Sequence, residues 1–390
     1  MGKIDDLIQQ YCPDGVEYVK LGDVAEVGTG SSNGNEAEDE GMYPFFVRSQ
    51  SVKRKNDYEY DEEAIIIPGE GGIGDIFHYV NGKYALHQRV YRIHFIVQSV
   101  NVKFAYYYMR STFKQFIMMK AVSATVVSIR KPMIEGFEIP VPPLPVQEDI
   151  VRILDNFTNL AAELQAELQA RQQQYNYYRD TLLSFEGRED VQWMKLGDVA
   201  TEWYRGAGIK RDEVSEEGTP CIRYGEIHTT YSIWFDECVS HTDEDGQPTK
   251  KYADHGDILF AITSEDIPFV GNSVAYLGKE RIMVGGDIVV MKHDQDPKYM
   301  SYVLSTSDAV KQKGKGKVKS KVVHTSVPSL QEIVVPIPSL DEQRRIAEIL
   351  DNFHTLTNDL SQGLPAEIEA RQQQYEYYRD QLLTFKRKEA

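Results

Sequence analysis

Six lysines, Lys311, Lys313, Lys315, Lys317, Lys319 and Lys321, occupy every second position of one short stretch, with Gly314 and Gly316 among them. Alternate side chains of an extended chain point to one side. The run therefore predicts an edge of six cations, the arrangement that tracks a phosphate backbone and displaces its counterions. The plain alternative is a solvated loop whose charge only keeps it soluble. Arg48, Lys53, Arg54 and Lys55 form a smaller cluster beside Ser49 and Gln50, and Gln88 and Arg89 adjoin each other. Gln and Arg can each make two hydrogen bonds to one base edge, to adenine and guanine respectively. Arg89 can equally be an ion-pair residue at a strand start. Arg205, Lys210, Arg211 and Arg223, the last followed by Tyr224, are the candidates in the second half of the chain.

Residue patterns for catalysis are missing. Gly69-Glu-Gly-Gly-Ile-Gly74 matches G-x-G-x-x-G after an apolar run, but a dinucleotide site needs a helix next, whose N-terminus meets the pyrophosphate. Here Asp75-Ile-Phe-His follows, then Asn81-Gly82, a strong hairpin signal between Phe77–Val80 and Lys83–Leu86. A glycine loop that lets backbone approach a partner is the better reading. There is no Asn/Asp-Pro-Pro-Tyr/Phe methyltransferase motif and no Walker A loop. Cys12, Cys221 and Cys238 form no Cys-x-x-Cys pair, and the nine histidines show no ligand spacing. The expectation is a chain with no catalytic residues, no metal and no cofactor of its own, in a reducing cytoplasm. Met1–Asp6 lacks the apolar core of a signal peptide, and no run of apolar residues is long enough to span a membrane.

The net charge of −17 argues against unaided, tight, non-specific binding of nucleic acid. Contact depends on the local field, however, and acidic residues elsewhere can face protein partners.

The elements that must position these cations come in two copies. VEYVKLGDVA (Val16–Ala25) returns as VQWMKLGDVA (Val191–Ala200), ILDNF (Ile153–Phe157) as Ile349–Phe353, and ARQQQYNYYRD (Ala170–Asp180) as ARQQQYEYYRD (Ala370–Asp380). The offsets of 175, 196 and 200 give two tandem halves, with a longer middle segment and a four-residue insertion in the second. Similar ends around dissimilar middles suggest one scaffold presenting two different surfaces.

The repeated ends carry helical seams. Ile150, Leu154, Phe157, Ala161, Leu164, Leu168, Arg171, Tyr175, Tyr178, Leu182 and Phe185 alternate four-three spacing over five heptads. A helix from about Gln147 to Phe185, approached through Pro142, Pro143 and Pro145, would be about 55 Å long. The second seam, Ile346, Leu350, Phe353, Thr357, Leu360, Leu364, Ile368, Arg371, Tyr375, Tyr378, Leu382 and Phe385, slips once, where Gly363 and Pro365 predict a kink or short break. Each seam needs a cover, and pairing of the two helices supplies it. Antiparallel pairing relates the halves by a pseudo-two-fold axis. The middles read as mixed α/β, with strands at Tyr43–Arg48, Ala64–Ile67, Arg89–Ile93, Asp257–Ile262 and Asp287–Met291 and helices at Phe104–Met109 and Tyr299–Leu304.

The repeated LGDVA entries, the proline-rich leads (Ile139–Pro145 and Val335–Gln343) and the RQQQYxYYRD helix ends resemble the specificity subunits of type I restriction-modification systems. The likeness covers nearly the whole chain. It is strongest to the subgroup with tetrad repeats in the central helix, here Ala161–Leu164 and Gln165–Leu168. The resemblance implies an α+β fold of two target-recognition domains separated by two long antiparallel coiled-coil helices. The expected boundaries are 1–146 for the first domain, 147–186 for the central helix, 187–342 for the second domain and 343–386 for the C-terminal helix. It implies sequence-specific binding of a split site in double-stranded DNA, with the helices as ruler and as dock for two modification subunits. Those subunits carry S-adenosylmethionine, and restriction subunits join to give the cutting enzyme. Leu154, Phe157, Leu164, Leu168, Tyr175 and Tyr178 would face Leu350, Phe353, Leu360, Ile368, Tyr375 and Tyr378. A coiled-coil adaptor without DNA readout is the competing reading.

Overall fold

The computed structural model describes residues 8, 10–120, 128–264, 269–314, 317–319, 322–358 and 363–389. The chain divides into two compact units, one built from residues 1–165 and 368–390, the other from 166–367. Among the described residues no helix is long and apolar enough to cross a membrane.

Both units use the repeated sequence in the same way. In the first, β1 (Tyr18–Lys20) pairs antiparallel with β8 (Glu138–Pro140), and the Leu21 N–H, at the start of the one-turn helix Leu21–Val24, donates to the Phe137 carbonyl at 2.8 Å. In the second, β9 (Gln192–Lys195) pairs antiparallel with β23 (Val334–Ile337), and Leu196 N–H donates to Ile333 O at 2.8 Å. Leu21 and Leu196 are fully buried. The glycine after each is a close-packing requirement. A Cβ on Gly22 would lie 3.0 Å from the Glu135 Cβ, and one on Gly197 3.2 Å from the Gln331 Cβ.

Between these shared frames the units differ. The first holds a six-stranded sheet in the order β2-β7-β5-β6-β3-β4: β2 (Ala25–Thr29), β3 (Tyr43–Phe46), β4 (Lys53–Lys55), β5 (Tyr60–Pro68), β6 (His78–Leu86) and β7 (Val90–Phe95). The helix Val102–Lys120 covers it, burying Phe104, Met109, Phe113 and Ile117. The second unit spreads its strands over two five-stranded sheets. One is β10 (Ala200–Arg205), β20 (Ile288–His293), β16 (Ile258–Ala261), β18 (Ser273–Tyr276) and β13 (Trp234–Phe235). The other is β11 (Val214–Ser215), β14 (Ser240–Thr242), β12 (Thr219–Ile222), β19 (Ile282–Val284) and β15 (Tyr252–Ala253). A smaller sheet joins β17 (Thr263–Ser264), β22 (Val322–His324) and β21 (Lys317–Lys319). The expected strands and helices form. The Asn81-Gly82 hairpin does not. β6 runs straight through it, pairing with β5 from Tyr60↔Tyr84 to Ile66↔His78. Gly82 takes φ +115° inside the strand. The continuous ladder to nine-residue β5, whose Ala64–Ile67 segment is buried, outweighs a local turn preference.

The long helix is Leu144–Leu182, with Pro145 in its first turn, where no backbone donor is needed. The C-terminal seam is carried by two described helices, Leu340–Asn358 and Gly363–Leu382, with Pro365 in the first turn of the second, where the sequence places a kink or short break; residues 359–362 lie outside the described residues. Leu360 lies outside the described residues. Within the first unit Leu154 is fully buried, Leu164 is buried, and Phe157 stacks on Tyr378 at 5.5 Å and meets Tyr375 edge-on at 6.4 Å. Within the second, Tyr175 and Leu350 are buried and Tyr178 stacks on Phe353 at 5.9 Å. Leu168 and Ile368 are half-buried. In each unit an early turn of one helix thus meets a late turn of the other, the antiparallel pattern that the resemblance implies.

Each long helix also plants one glutamine in the core. Gln147, fully buried, accepts the Asn101 N–H at 2.8 Å and donates to the carbonyls of Ser99 and Pro142. Gln343 accepts the Asp296 N–H at 3.0 Å and donates to Pro338 O and Gln295 Oε1. Buried amides satisfied this completely fix the angle at which a helix enters its domain.

Candidate nucleic-acid interface

In the first unit, β3 and β6 run parallel and end together, Phe45 opposite Ala85 and Phe46 opposite Leu86. The chain segments that leave them carry Arg48 on one side and His87, Gln88 and Arg89 on the other. Glu70, from the glycine loop after β5, sits between the two arginines, 3.0 Å from Arg48 and 2.9 Å from Arg89. Both arginines remain about half exposed. The hydrogen bond from Arg89, then that from Arg48, holds the Glu70 carboxyl below its usual range. His87 is buried and accepts the Arg89 N–H at its Nδ1. Burial, then the positive fields of Arg48 and Arg89, lower its pKa. Gln88 donates to Asn33 Oδ1 at 2.8 Å. Lys55 joins the group through Ser32 Oγ at 2.9 Å and Glu36 at 2.7 Å.

Lys53 and Arg54 lie on β4, the edge strand of the sheet, exposed, with Arg54 donating to the Met42 carbonyl. Cations on an edge strand also block edge-to-edge pairing. Gln50 lines a separate cleft of about 480 Å³ with Phe46, His78 and Tyr106. The glycine loop carries no nucleotide-binding helix: Gly71, Gly72 and Gly74 take φ of +69°, +60° and +76°, and β6 begins at His78.

The second unit has a cluster at the topologically equivalent place. β12 and β19 also run parallel and end together, Ile222 opposite Val284. Arg223 follows one strand, and Gly285, Gly286 and Asp287 follow the other. Arg205, at the end of β10, pairs with Asp287 at 2.6 Å and donates through Nε to the Gly286 carbonyl. Arg223 reaches Glu226 at 3.2 Å, and that buried carboxylate also accepts from Ser240 Oγ at 2.6 Å. Arg205, Arg211 and Arg223 line one open cleft of about 970 Å³. Its floor is backbone: a Cβ on Gly206 would come within 2.2 Å of the Gly285 oxygen. Lys210 stands beside the cleft, held by Glu213 at 3.1 Å. Three guanidinium groups thus share a glycine-lined cleft with the carboxylates of Glu226 and Asp287, which hold Arg223 and Arg205 in place. The acidic holders Glu70, Glu226 and Asp287 were not singled out in the sequence. The shared signal was a Gly-acid step after an apolar strand, at Gly69-Glu70 and Gly286-Asp287.

The lysine run does not form one edge. Lys311 and Lys313 belong to a helix, Ser307–Lys313, capped by Thr306. Residues two apart on a helix face nearly opposite ways. Lys311 is exposed, whereas Lys313 is buried, donating to Leu304 O at 2.8 Å and Ser273 Oγ at 3.0 Å. Burial pushes its amine down to about 7. Lys317 and Lys319 lie on β21, paired with β22. Lys315 and Lys321 lie outside the described residues. Among the described residues no group of His, Cys, Asp and Glu side chains could hold a metal ion.

The family model "type I restriction modification DNA specificity domain" matches residues 13–171 and again 188–370. The chain is 35% identical over 254 residues to the type I restriction enzyme EcoR124I/EcoR124II specificity subunit of Escherichia coli, covering 63% of this chain and 61% of that one. It is 28% identical over 360 residues to a chain of Haemophilus influenzae named as a type I restriction enzyme specificity subunit, covering 88% and 89%. Its fold is similar to the crystal structure of the type I restriction-modification S subunit from M. genitalium, with a TM-score of 0.58 at 16% identity over 95% of this chain and 96% of that one. The double match repeats the internal duplication seen in the sequence and in the paired β1–β8 and β9–β23 frames, and with it the chain belongs to the type I restriction-modification DNA specificity family.

Proposed function

We infer that the chain is the DNA-reading specificity subunit of a type I restriction-modification complex, and that each unit presents its arginine cluster to one half of a split target. The observation that carries this reading is the equivalence of the two clusters. Each lies where a parallel strand pair ends, β3 with β6 and β12 with β19, yet the side chains differ: Arg48, Gln88 and Arg89 in one, Arg205, Arg211 and Arg223 in the other. Equivalent placement with unlike chemistry suits two different half-sites. An adaptor without DNA readout has no use for it. The role is recognition rather than catalysis. Methyl transfer belongs to modification subunits docked on the long helices, which carry the S-adenosylmethionine and flip the target adenine. Restriction subunits join the same assembly.

The test is a binding titration of the chain assembled with its methyltransferase, on target duplex, over a series of salt concentrations. Alanine at Arg205, Arg211 and Arg223 together is expected to weaken binding. It should also flatten the dependence of log K on log salt by about one unit for each phosphate no longer neutralised. An unchanged affinity and an unchanged slope would contradict the placement of DNA on this cleft.

A further inference from the structure

A second duplication links the units to their long helices, and the three repeated blocks do not show it. The helix Val102–Lys120 carries Lys103 and Tyr107, and the helix Pro297–Leu304 carries Lys298 and Tyr302. The Lys-x-x-x-Tyr spacing puts both side chains on one helical face. In the first unit Asp155 of the repeated ILDNF block receives both. Its Oδ1 accepts from the Tyr107 hydroxyl at 2.7 Å and its Oδ2 from Lys103 Nζ at 2.7 Å. In the second unit Asp351, the equivalent residue, accepts from Tyr302 at 2.6 Å and from Lys298 at 2.5 Å. Each lysine also reaches a sheet. Lys103 sits 5.5 Å from the ring centre of Tyr79 on β6, and Lys298 4.2 Å from that of Trp234 on β13. Trp234 Nε1 closes the second group by donating to Asp351 Oδ1 at 3.2 Å. Sheet, covering helix and long helix thus meet at one carboxylate in each unit, eight residues along the long helix from the buried Gln147 or Gln343.

Apolar seams tolerate sliding, because one methyl group resembles the next. Polar contacts of fixed geometry select a single register. Successive base pairs are about 3.4 Å apart along the duplex, so a domain free to slip by part of a helical turn would accept a spacer one pair too long or too short.

We propose that Asp155 with Lys103 and Tyr107, and Asp351 with Lys298 and Tyr302, are positioning residues that lock each recognition domain to its long helix in one register and so set how strictly the complex measures the spacer. This rests on the function proposed above. It assigns the accuracy of the ruler to two side-chain groups beyond the length of the helices.

The experiment measures methyl transfer by the chain assembled with its modification subunits. The duplexes carry the native target, the target with one base pair added to the spacer or removed from it, and an unrelated sequence. Asp155→Ala and Asp351→Ala are expected to lower the rate on the native spacer by less than tenfold while cutting the preference over the altered spacers at least tenfold. Tyr107→Phe, which removes one hydroxyl and little volume, should show a smaller loss of the same kind, and Lys103→Arg should retain the wild-type preference. Variants that lose thermal stability yet keep the full spacer preference, Tyr107→Phe among them, would overturn the proposal and leave an ordinary structural clamp. A wild-type complex that treats target and unrelated duplexes alike would instead overturn the DNA-specificity reading, and this proposal with it.

Discussion

Lys313 shows how a side chain suited to one task is put to another. Its nitrogen sits over the Phe260 ring, 5.8 Å from its centre, and donates to the Leu304 carbonyl at the end of the neighbouring helix. The folded amine titrates near 7, against an ordinary value of 10.5. Between those two pH values the unfolded chain binds the additional proton. The contribution of Lys313 to stability therefore rises with pH across that window, by at most about 1.4 kcal/mol per pH unit, and levels off below it. Chemical denaturation of wild type and Lys313→Met at pH 7, 8.5 and 10 should show the wild type gaining on the variant as pH rises. A constant difference would mean that the amine is charged in the fold. The lysines were legible in the sequence as a cation cluster, but their orientation was not. Alternation implied an extended chain, whereas Thr306 caps a helix that turns Lys311 and Lys313 apart. The arginines fared differently. Arg205, Arg211 and Arg223 share one cleft with the distant Gly285-Gly286 turn, because the ends of β10 and β12 bond to that part of the chain: the Ala207 N–H donates to the Val284 carbonyl and the Gly285 N–H to the Ile222 carbonyl.

At the scale of elements, periodicity was the dependable signal. The heptad seams located the helices Leu144–Leu182, Leu340–Asn358 and Gly363–Leu382, whereas the one-turn helices at the repeated LGDV blocks were not legible beforehand. The Asn81-Gly82 step misled because turn preference is a local quantity, worth less than the ladder that β6 makes with β5. The Lys-x-x-x-Tyr pair escaped notice for a different reason. Its two copies share only two residues in five, and their partner aspartate lies about fifty positions away. The long helix runs unbroken through the tetrads Ala161–Leu164 and Gln165–Leu168. Removing Gln165–Leu168 shortens it by about 6 Å. The preferred spacer, read by methylation of a duplex library with randomised spacer length, should contract by one or two base pairs. Retention of the original spacer would rule the helix out as the ruler.

At the scale of the whole molecule, the charge of −17 and the proposed DNA-reading role are reconciled by distribution. Arginines gather at the ends of two parallel strand pairs, and carboxylates hold them in place at the cost of part of their field. The overall organisation was the most legible feature of the sequence, since duplicated blocks with offsets of 175, 196 and 200 admit little besides a repeated scaffold. The identity of the bases read is not written there, because direct readout depends on the position of each guanidinium in the groove. The central claim is that this one chain selects a two-part target through two unlike units. Genome-wide mapping of methylated adenine, in host cells with the gene and with it deleted, tests that claim most directly. The account predicts one bipartite motif, two short specified segments around a spacer of fixed length, that disappears on deletion. A methylation pattern unchanged by the deletion, or the loss of a single continuous motif, would contradict it.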